Sequence, residues 1–435
     1  MKPVLLFLIA ILLLTPVQRA FAQDEAAQPD SATAEDHKFA AVPDFAGAFT
    51  PGHGFDILKT KRGSINLSVY GLFRFIDQTP GEQTFTDHLG RERKVATRND
   101  INWHRTMIWV SGFFFKPNFL YTITAWSLPS TEQTLVFGLL RYITSRQLTF
   151  GVGVGPSLTA RSMQGSWPFW AGSDRQMAEE FYRGGFASSV FVTGSPVDRL
   201  YYTAAINRSL SQLGITAAND NRSYAYSVST WFMPTTGEFG PRGGFGDLEK
   251  HEELATRFGL SACRARESRY AVVPENPRHQ QIRMSDGVNP FEAGALADGV
   301  TVTDLTYQEL AFDAGAKYRG FSFQAEYGFR RLGDFVADGP IPEASLVDHG
   351  FYAEAMQMVH PKLGVYATSG KIFDEFKRHP WEIGGGASFY PYGNRNLRLN
   401  LHYIHIEKSP TGSSFGYYTA GQTGDTISLG VDVLL

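Results

Sequence analysis

Short segments in which apolar and polar residues alternate recur along the chain from residue 64 to the C-terminus. In the segment at 321–330, every second residue is apolar or aromatic, and Ser, Gln, Glu, Gly and Arg lie between them. Because successive side chains of a β-strand point to opposite faces, each segment predicts a strand with one apolar and one polar face. A soluble β-sandwich also alternates. Charged residues in mid-strand and segment lengths of about 10 residues favour strands that cross a bilayer.

The alternating segments give about sixteen predicted strands, an even number, as single-chain bacterial barrels have. Aromatic residues stand at the ends of many of them, as they do in the girdles at the two membrane interfaces. The predicted strands are 64–76, 102–115, 119–126, 134–144, 148–154, 186–193, 200–207, 224–233, 255–265, 305–318, 321–332, 350–359, 363–372, 381–390, 396–406 and 426–435.

The connections between these segments differ sharply in length. Those at 116–118, 195–199, 319–320 and 361–362 are short, whereas 77–101, 155–185, 266–304, 333–349 and 407–425 are long. Outer-membrane barrels have short periplasmic turns and long outer loops, and a sandwich has no reason to sort its connections in this way. The sequence therefore predicts an all-β fold, a transmembrane antiparallel β-barrel with long outer loops.

We expect a short helix within 174–182 and a helix start at 289–292.

The first 22 residues have the layout of a secretory signal peptide. Lys2 precedes an apolar run at 4–14, and Pro16 and an Ala-Phe-Ala sequence at 20–22 follow it. The apolar run is about half as long as a membrane-spanning helix needs. We therefore predict a cleaved signal peptide at 1–22, a flexible periplasmic lead-in at 23–54 that is rich in Ala, Asp, Glu, Pro and Ser, and an outer-membrane barrel at 55–435.

Composition narrows the possible functions. The formal charge of −3 becomes about −5 without the signal peptide, so the basic balance typical of nucleic-acid binding is absent. Cys263 is the only cysteine, so no intrachain disulfide can form. After residue 23 no run of eighteen apolar residues predicts a transmembrane helix. We expect no cofactor.

Two patterns that resemble catalytic or metal sites do not fit their structural contexts. Residues 412–416 match G-x-S-x-G, but Ser414 lies among turn residues and the last histidine, His405, precedes it instead of following it. On a strand, His402 and His405 point to opposite faces, so they cannot share a metal ion without a bulge. We therefore expect neither a metal site nor an enzyme.

The region 148–207 resembles a known family. It runs from Leu-Thr-Phe-Gly-Val-Gly at 148–153 through Trp-Pro-Phe-Trp at 167–170 and Asp-Arg-Gln-Met-Ala-Glu-Glu-Phe at 174–181 to a Gly-Phe pair at 185–186 and a strand. This region resembles the phosphate-selective porin (O and P) family, and the resemblance extends over about 55–435. It implies a sixteen-stranded homotrimeric channel in which the loop at about 155–185 folds into the lumen, with lumen arginines and lysines that favour anions. The chain departs from the family in its acidic charge, in the mixed signs on its polar faces, and in its final residues, Leu434 and Leu435.

Two groups of arginines are candidates for anion binding, because the arginine fork donates two parallel hydrogen bonds to an oxyanion. For a pore constriction the candidates are Arg141, Arg161, Arg175 and Arg183. The alternative is that these arginines pair with Asp174, Glu179 and Glu180 and only brace the loop.

The second group belongs to one strand and the loop after it. Its candidates for an electropositive funnel are Arg257, Arg264, Arg266 and Arg269, with Arg278 and Arg283 further along. The alternatives are binding of lipopolysaccharide phosphates at the outer rim, or simple solvation.

We therefore expect an outer-membrane porin for passive diffusion of small solutes, with anions such as phosphate implied by the resemblance. Outer-membrane lipid and lipopolysaccharide are the expected surroundings. One alternative is a structural or adhesive barrel that binds partners through its long loops, and the others are an outer-membrane enzyme and a secreted soluble β-protein.

Overall fold

A computed structural model describes residues 54–128, 133–156, 161, 169–210, 224–240, 244–269, 282–412 and 416–435. The predicted signal peptide and nearly all of the lead-in lie outside this part of the chain. Its strands are β1 (Phe55–Thr60), β2 (Gly63–Thr79), β3 (Gln83–Thr86), β4 (Glu92–Val95), β5 (Asn99–Phe113), β6 (Phe119–Leu128), β7 (Gln133–Ser145), β8 (Leu148–Pro156), β9 (Phe186–Val197), β10 (Leu200–Asn207), β11 (Ala225–Phe232), β12 (Ala255–Ser268), β13 (Val302–Tyr318), β14 (Phe321–Ala337), β15 (Ser345–His360), β16 (Leu363–Phe373), β17 (Trp381–Phe389), β18 (Leu397–Glu407) and β19 (Gly424–Leu434), and its helix is α1 (Met177–Tyr182).

Sixteen strands, β2 and β5 to β19, form a closed antiparallel barrel. The last strand pairs with the first, in a register that runs from Asp425 opposite Thr79 to Leu434 opposite Tyr70. The predicted barrel is therefore confirmed, and each predicted segment overlaps one barrel strand. Three strands were not predicted: β1 pairs with the start of β2, and β3 and β4 form a hairpin in the first long loop.

The two faces of the barrel wall follow the predicted alternation. In β14, Phe321, Phe323 and Phe329 are exposed on the outside, whereas Gln324 and Arg330 are buried on the inside. An apolar outer face suits lipid, and polar residues facing the lumen keep away from it. The same arrangement holds in β19, where Ser428, Gly430 and Asp432 face inward.

The two ends of the barrel differ in their connections. At one end, here called the short-turn end, strands are joined by residues 114–118, 146–147, 198–199, 319–320 and 361–362. The opposite end carries the connections 80–98, 157–185, 269–301 and 408–423. The predicted contrast has one large exception, because residues 233–254 at the short-turn end form a long segment. The long connection predicted at 333–349 is wrong as well, because β14 and β15 extend into it and leave only residues 338–344. No helix of the described residues is long and apolar enough to span a membrane.

Apolar residues of the long connection after β12 close over part of the barrel interior. Ile282, Met284, Val288 and Phe291 pack against buried wall residues, among them Leu305. The predicted helix start at 289–292 is wrong, because the chain forms a turn there. The amide of Phe291 donates to the Asn289 side chain (2.9 Å), so Asn289 caps a turn, and burial of Phe291 directs the chain inward.

Candidate functional site

The connection between β8 and β9 folds into the lumen, as expected. Residues 157–185, here called the inner loop, are described at 161 and 169–185, and they carry α1, whose six residues are all buried. Tyr182 at the end of α1 lies over two wall glycines: a Cβ on Gly328 or Gly350 would come within 3.1 Å of the Tyr182 side chain. The hydroxyl of Tyr307 donates to the Tyr182 carbonyl (2.8 Å). Small wall residues thus let the inner loop pack directly on the barrel.

Asp174 anchors the inner loop to the wall at β2 and β5. Its Oδ2 accepts from Arg105 Nη2 at 2.6 Å and from Arg74 Nη1 at 3.2 Å. Arg74 lies in β2 and Arg105 in β5, and all three side chains are buried. Removing either partner of such a buried pair leaves an uncompensated charge, which strongly destabilises a fold.

Arg175 and Arg183 of the inner loop are both paired with acidic residues of α1. Arg175 lies 3.5 Å from Glu179 and 4.7 Å above the Trp170 ring, and burial lowers the pKa of Arg175 to about 10. Arg183 donates from Nε and Nη2 to both oxygens of Glu180, each at 2.7 Å. These contacts match the bracing alternative for the two arginines.

Arg161 and Arg141 take different positions. The backbone amide of Arg161 donates to Glu326 Oε2 (2.7 Å), and its guanidinium lies 4.0 Å from Asp313 and over the rings of Phe239 and Phe245. Burial lowers the pKa of Arg161 to about 10. Arg141 is a half-buried residue of β7 on the lumen side. The structure therefore brings Arg161, Arg175 and Arg183 into the interior, with carboxylates beside them.

The wall formed by β13–β17 carries four inward-facing glutamates whose hydrogen-bond partners in the described residues are neutral groups. Glu309 accepts from the Tyr307 hydroxyl, and Glu326 from the backbone of Arg161. Glu354 accepts from the side chain of Gln176 (3.4 Å), and Glu382 from the Met177 amide and the Tyr418 hydroxyl (both 2.7 Å). Sequence reasoning missed this set, although the inward alternation of each strand identifies its members.

The second arginine group does not form one cluster. Arg257 faces the lumen and donates to Asp313 at 2.9 Å, whereas Arg264 of the same strand is exposed on the outer face. Arg266 donates to Thr306 Oγ1 and to the Asp334 carbonyl. The amide of Arg269 donates to the Thr303 carbonyl, Arg283 is half-buried, and Arg278 lies outside the described residues. Strand alternation separates Arg257 from Arg264, because the two residues are an odd number of positions apart.

The segment at 233–254, here called the lower plug, enters the lumen from the short-turn end. Phe239 lies against Gly315 and Lys317 of β13, and the amide of Phe245 donates to the Phe169 carbonyl of the inner loop (2.6 Å). The lower plug therefore meets the inner loop inside the barrel. The sequence gives a weak signal for it, a long connection at the end where the other connections are short.

A clasp around His251 holds the lower plug to the β13–β14 turn. The imidazole bonds to Asp247 and to Glu238 (2.8 Å), and Asp247 Oδ2 accepts from the Gly320 amide (2.7 Å). Burial opposes the charge on the imidazole, but these two carboxylates raise the pKa of His251 above its ordinary value. The clasp is therefore strongest when the imidazole is charged.

The two histidines that resembled a pair of metal ligands lie on opposite faces of β18, as expected. His402 points inward and shares a hydrogen bond with the Tyr366 hydroxyl (2.8 Å), whereas His405 points outward and contacts Asp425 (2.8 Å). The prediction that the two histidines face opposite sides is confirmed. Ser414 lies outside the described residues. Within the described ranges, no three His, Cys, Asp or Glu side chains are grouped as metal ligands.

Comparisons with known proteins show similarity in fold. No protein-family model matches the sequence, and no curated protein matches it. OmpT, an outer-membrane protein of Vibrio cholerae, superposes with a TM-score of 0.53 at 11% identity, covering 87% of this chain and 100% of that chain. Its trimer form gives 0.50 at 10% identity, with 86% and 100% covered. An anion-selective porin from Comamonas acidovorans gives 0.48 at 10% identity, with 86% and 100% covered. The chain has the barrel fold of the Vibrio cholerae outer-membrane protein.

Proposed function

We propose that this chain is an outer-membrane porin through which small solutes diffuse passively. One observation carries the proposal: a closed sixteen-stranded barrel has an apolar outside and a charged inside, and the inner loop folds into it. An apolar belt on a closed barrel fits a membrane, and charged groups around a narrowed lumen are what select solutes in a pore.

Conductance in planar bilayers tests the proposal. Purified protein added to one side of a membrane is expected to produce stepwise current increases. The D174N variant should change the size or noise of those steps, because Asp174 fixes the inner loop to Arg74 and Arg105. A barrel that inserts and gives no current would contradict the porin proposal.

A structural or adhesive barrel is the second candidate, and one observation favours it. The inward-facing side chains of Arg74, Arg330 and Arg398 are at most 1% exposed, so the lumen is densely filled at these residues. A barrel closed in this way would insert into bilayers and remain electrically silent, so the conductance measurement separates the two candidates.

The finer prediction, a preference for anions such as phosphate, comes from the family resemblance. It requires arginine charges that carboxylates do not balance, but Arg175 and Arg183 have carboxylate partners and Arg161 lies near Asp313. The reversal potential in a salt gradient, repeated with phosphate as competitor, tests this prediction. A cation-selective reversal potential would contradict it.

Anionic lipid is the second partner expected from the sequence, and two arginines near each other on the wall support a site for it on the outer face. Arg264 lies opposite Gln308, which lies opposite Arg331, so the two arginines flank one residue near the end of the barrel with long connections. Beside Arg264 is an apolar groove lined by Val190 and Tyr226, among others. Phosphate groups of lipopolysaccharide would pair with the arginines and an acyl chain would occupy the groove. The R264Q/R331Q variant is expected to retain less lipopolysaccharide on purification than the wild type.

A homotrimer is the assembly implied by the resemblance, and the trimer form of the Vibrio cholerae protein is compatible with it. Sedimentation of the detergent-solubilised protein, with the detergent contribution matched out, would measure the mass of the assembly. A monomer mass would contradict the trimer.

A further inference from the structure

Four inward-facing side chains of β14 and β15 form a compact group on the lumen wall, here called the quartet. Glu326 lies directly opposite Tyr352, and two residues along each strand Gln324 lies directly opposite Glu354. The four side chains share one face because residues two apart on a strand point the same way. All four residues are buried, with at most 6% of their surface exposed. The two carboxyl groups therefore stand on the diagonal of a square whose other corners are an amide and a phenol.

Several polar atoms of the quartet have no hydrogen-bond partner among the described residues. They are both polar atoms of the Gln324 side chain, the Tyr352 hydroxyl and Glu354 Oε1. The other oxygen of Glu354 accepts from Gln176, and Glu326 Oε2 accepts from the backbone of Arg161. Buried polar groups without partners are uncommon in folded proteins, and each one needs a physical explanation. Here the unpartnered oxygens belong to neighbouring side chains on one face of the wall, beside the carboxyl group of Glu326.

The acidic neighbours of the quartet are paired elsewhere, and the guanidinium of Arg161 is near enough to interact electrostatically with both Glu326 and Glu354. Asp313 lies opposite Glu326 on β13, but it is bonded to Arg257 at 2.9 Å, with Arg161 4.0 Å away. Glu179 of α1 has Arg175 at 3.5 Å. Neither Glu326 nor Glu354 has an ion-pair partner within the described part of the chain. A buried carboxylate without a counter-charge is costly, so it either takes up a proton or binds a cation.

We propose that the quartet binds a monovalent cation in the lumen, either an alkali metal ion or the ammonium or guanidinium group of a solute. Carboxylate, amide and phenol oxygens are hard ligands, which suit such cations. Across neighbouring strands, diagonal positions lie about 7–8 Å apart. Two carboxylates at that spacing can both lie beside one cation of low charge density. This inference deepens the proposed porin function, since it predicts that cations bind within the pore and pass more readily than anions.

The first test is the reversal potential of single channels in a potassium chloride gradient. The wild type is expected to favour K⁺, and the E326Q/E354Q variant should shift the reversal potential toward zero or reverse its sign. Added guanidinium chloride should reduce the wild-type current more than that of the variant. The control is E407Q, because Glu407 lies on the outward face of β18 and its change should leave selectivity unaltered. A wild-type channel that favours chloride, or a variant that keeps wild-type selectivity, would overturn the proposal.

A second test does not depend on current flow. Equilibrium binding of radioactive rubidium to the purified protein in detergent should show a component that excess potassium displaces and that E326Q/E354Q lacks. If the double variant does not fold, as judged by heat-dependent mobility on gels, E354Q alone and E354D are used, with E354D expected to restore binding. An infrared band of protonated carboxyl groups at neutral pH that disappears in the variants, without rubidium binding, would overturn the cation site. Rubidium binding without conductance would instead refute the porin function and leave the site intact.

Discussion

The link between Asp174 and the two arginines of β2 and β5 gives a prediction whose size follows from burial. The side chain of Asp174 is 1% exposed, that of Arg74 is 0% and that of Arg105 is 5%. The D174N substitution keeps the shape of the side chain and removes its charge, so two buried guanidinium groups lose the carboxylate that they share. Breaking a buried ion pair on one side costs about 3–5 kcal/mol. We therefore expect D174N to lower the free energy of unfolding by about 3 kcal/mol. This value is the lower end of the range, because the asparagine oxygen can still accept a hydrogen bond.

The assay is reversible urea unfolding of the barrel in lipid vesicles, followed by tryptophan fluorescence. The matched control is D198N, because Asp198 also pairs with an arginine, Arg146, at 2.6 Å, but the two side chains are 74% and 44% exposed. An exposed pair of this kind contributes little to stability, because solvent screens it. If D174N and D198N changed the unfolding free energy by the same small amount, the inner loop would not be held by a buried charge link and the reasoning would fail.

Three further predictions test the clasp, the outer face and the lower plug. Charged His251 stabilises the clasp below about pH 6.5, and this stabilisation is lost as the pH rises through its raised pKa; urea midpoints should fall over that range in the wild type and not in H251A. A lysine at Phe323, on the outer face, should cost about 2–4 kcal/mol in vesicles if that residue lies near the bilayer midplane, and an unchanged free energy of unfolding would contradict a lipid-facing position. In G315V the new side chain begins 2.7 Å from the Phe239 ring; limited proteolysis should then cut the lower plug faster, and equal rates would show that Phe239 does not rest on Gly315.

The strands could be predicted because lipid imposes a simple rule on each of them. Most residues that face the bilayer are apolar, and the two-residue period of a strand makes that rule visible in the sequence. The same period placed His402 and His405 on opposite faces correctly. It also separates Arg257 from Arg264. The predicted arginine funnel is wrong because it groups these residues by their closeness in sequence and not by the face on which they lie.

The interior could not be predicted because its contacts join distant parts of the chain. Asp174 meets Arg74 and Arg105, which lie 100 and 69 positions away. Sequence reasoning identified Asp174 and its neighbours as charges that need partners, but it sought those partners within the loop. The lower plug was missed for a related reason, because the length of a connection does not reveal whether it folds inward or outward. Its position depends on wall residues such as Gly315, which give Phe239 room.

The meeting of the lower plug and the inner loop inside the wall constrains how the molecule is assembled. The amide of Phe245 and the carbonyl of Phe169 are joined in the interior, although the two segments enter from opposite ends. Once β19 has paired with β2 and the barrel is closed, each segment would have to enter through its own end of a lumen that the other segment already partly fills. We therefore expect the lower plug and the inner loop to take their positions before β19 pairs with β2. Closure of the barrel would then be the last step of folding, around an interior that is already assembled.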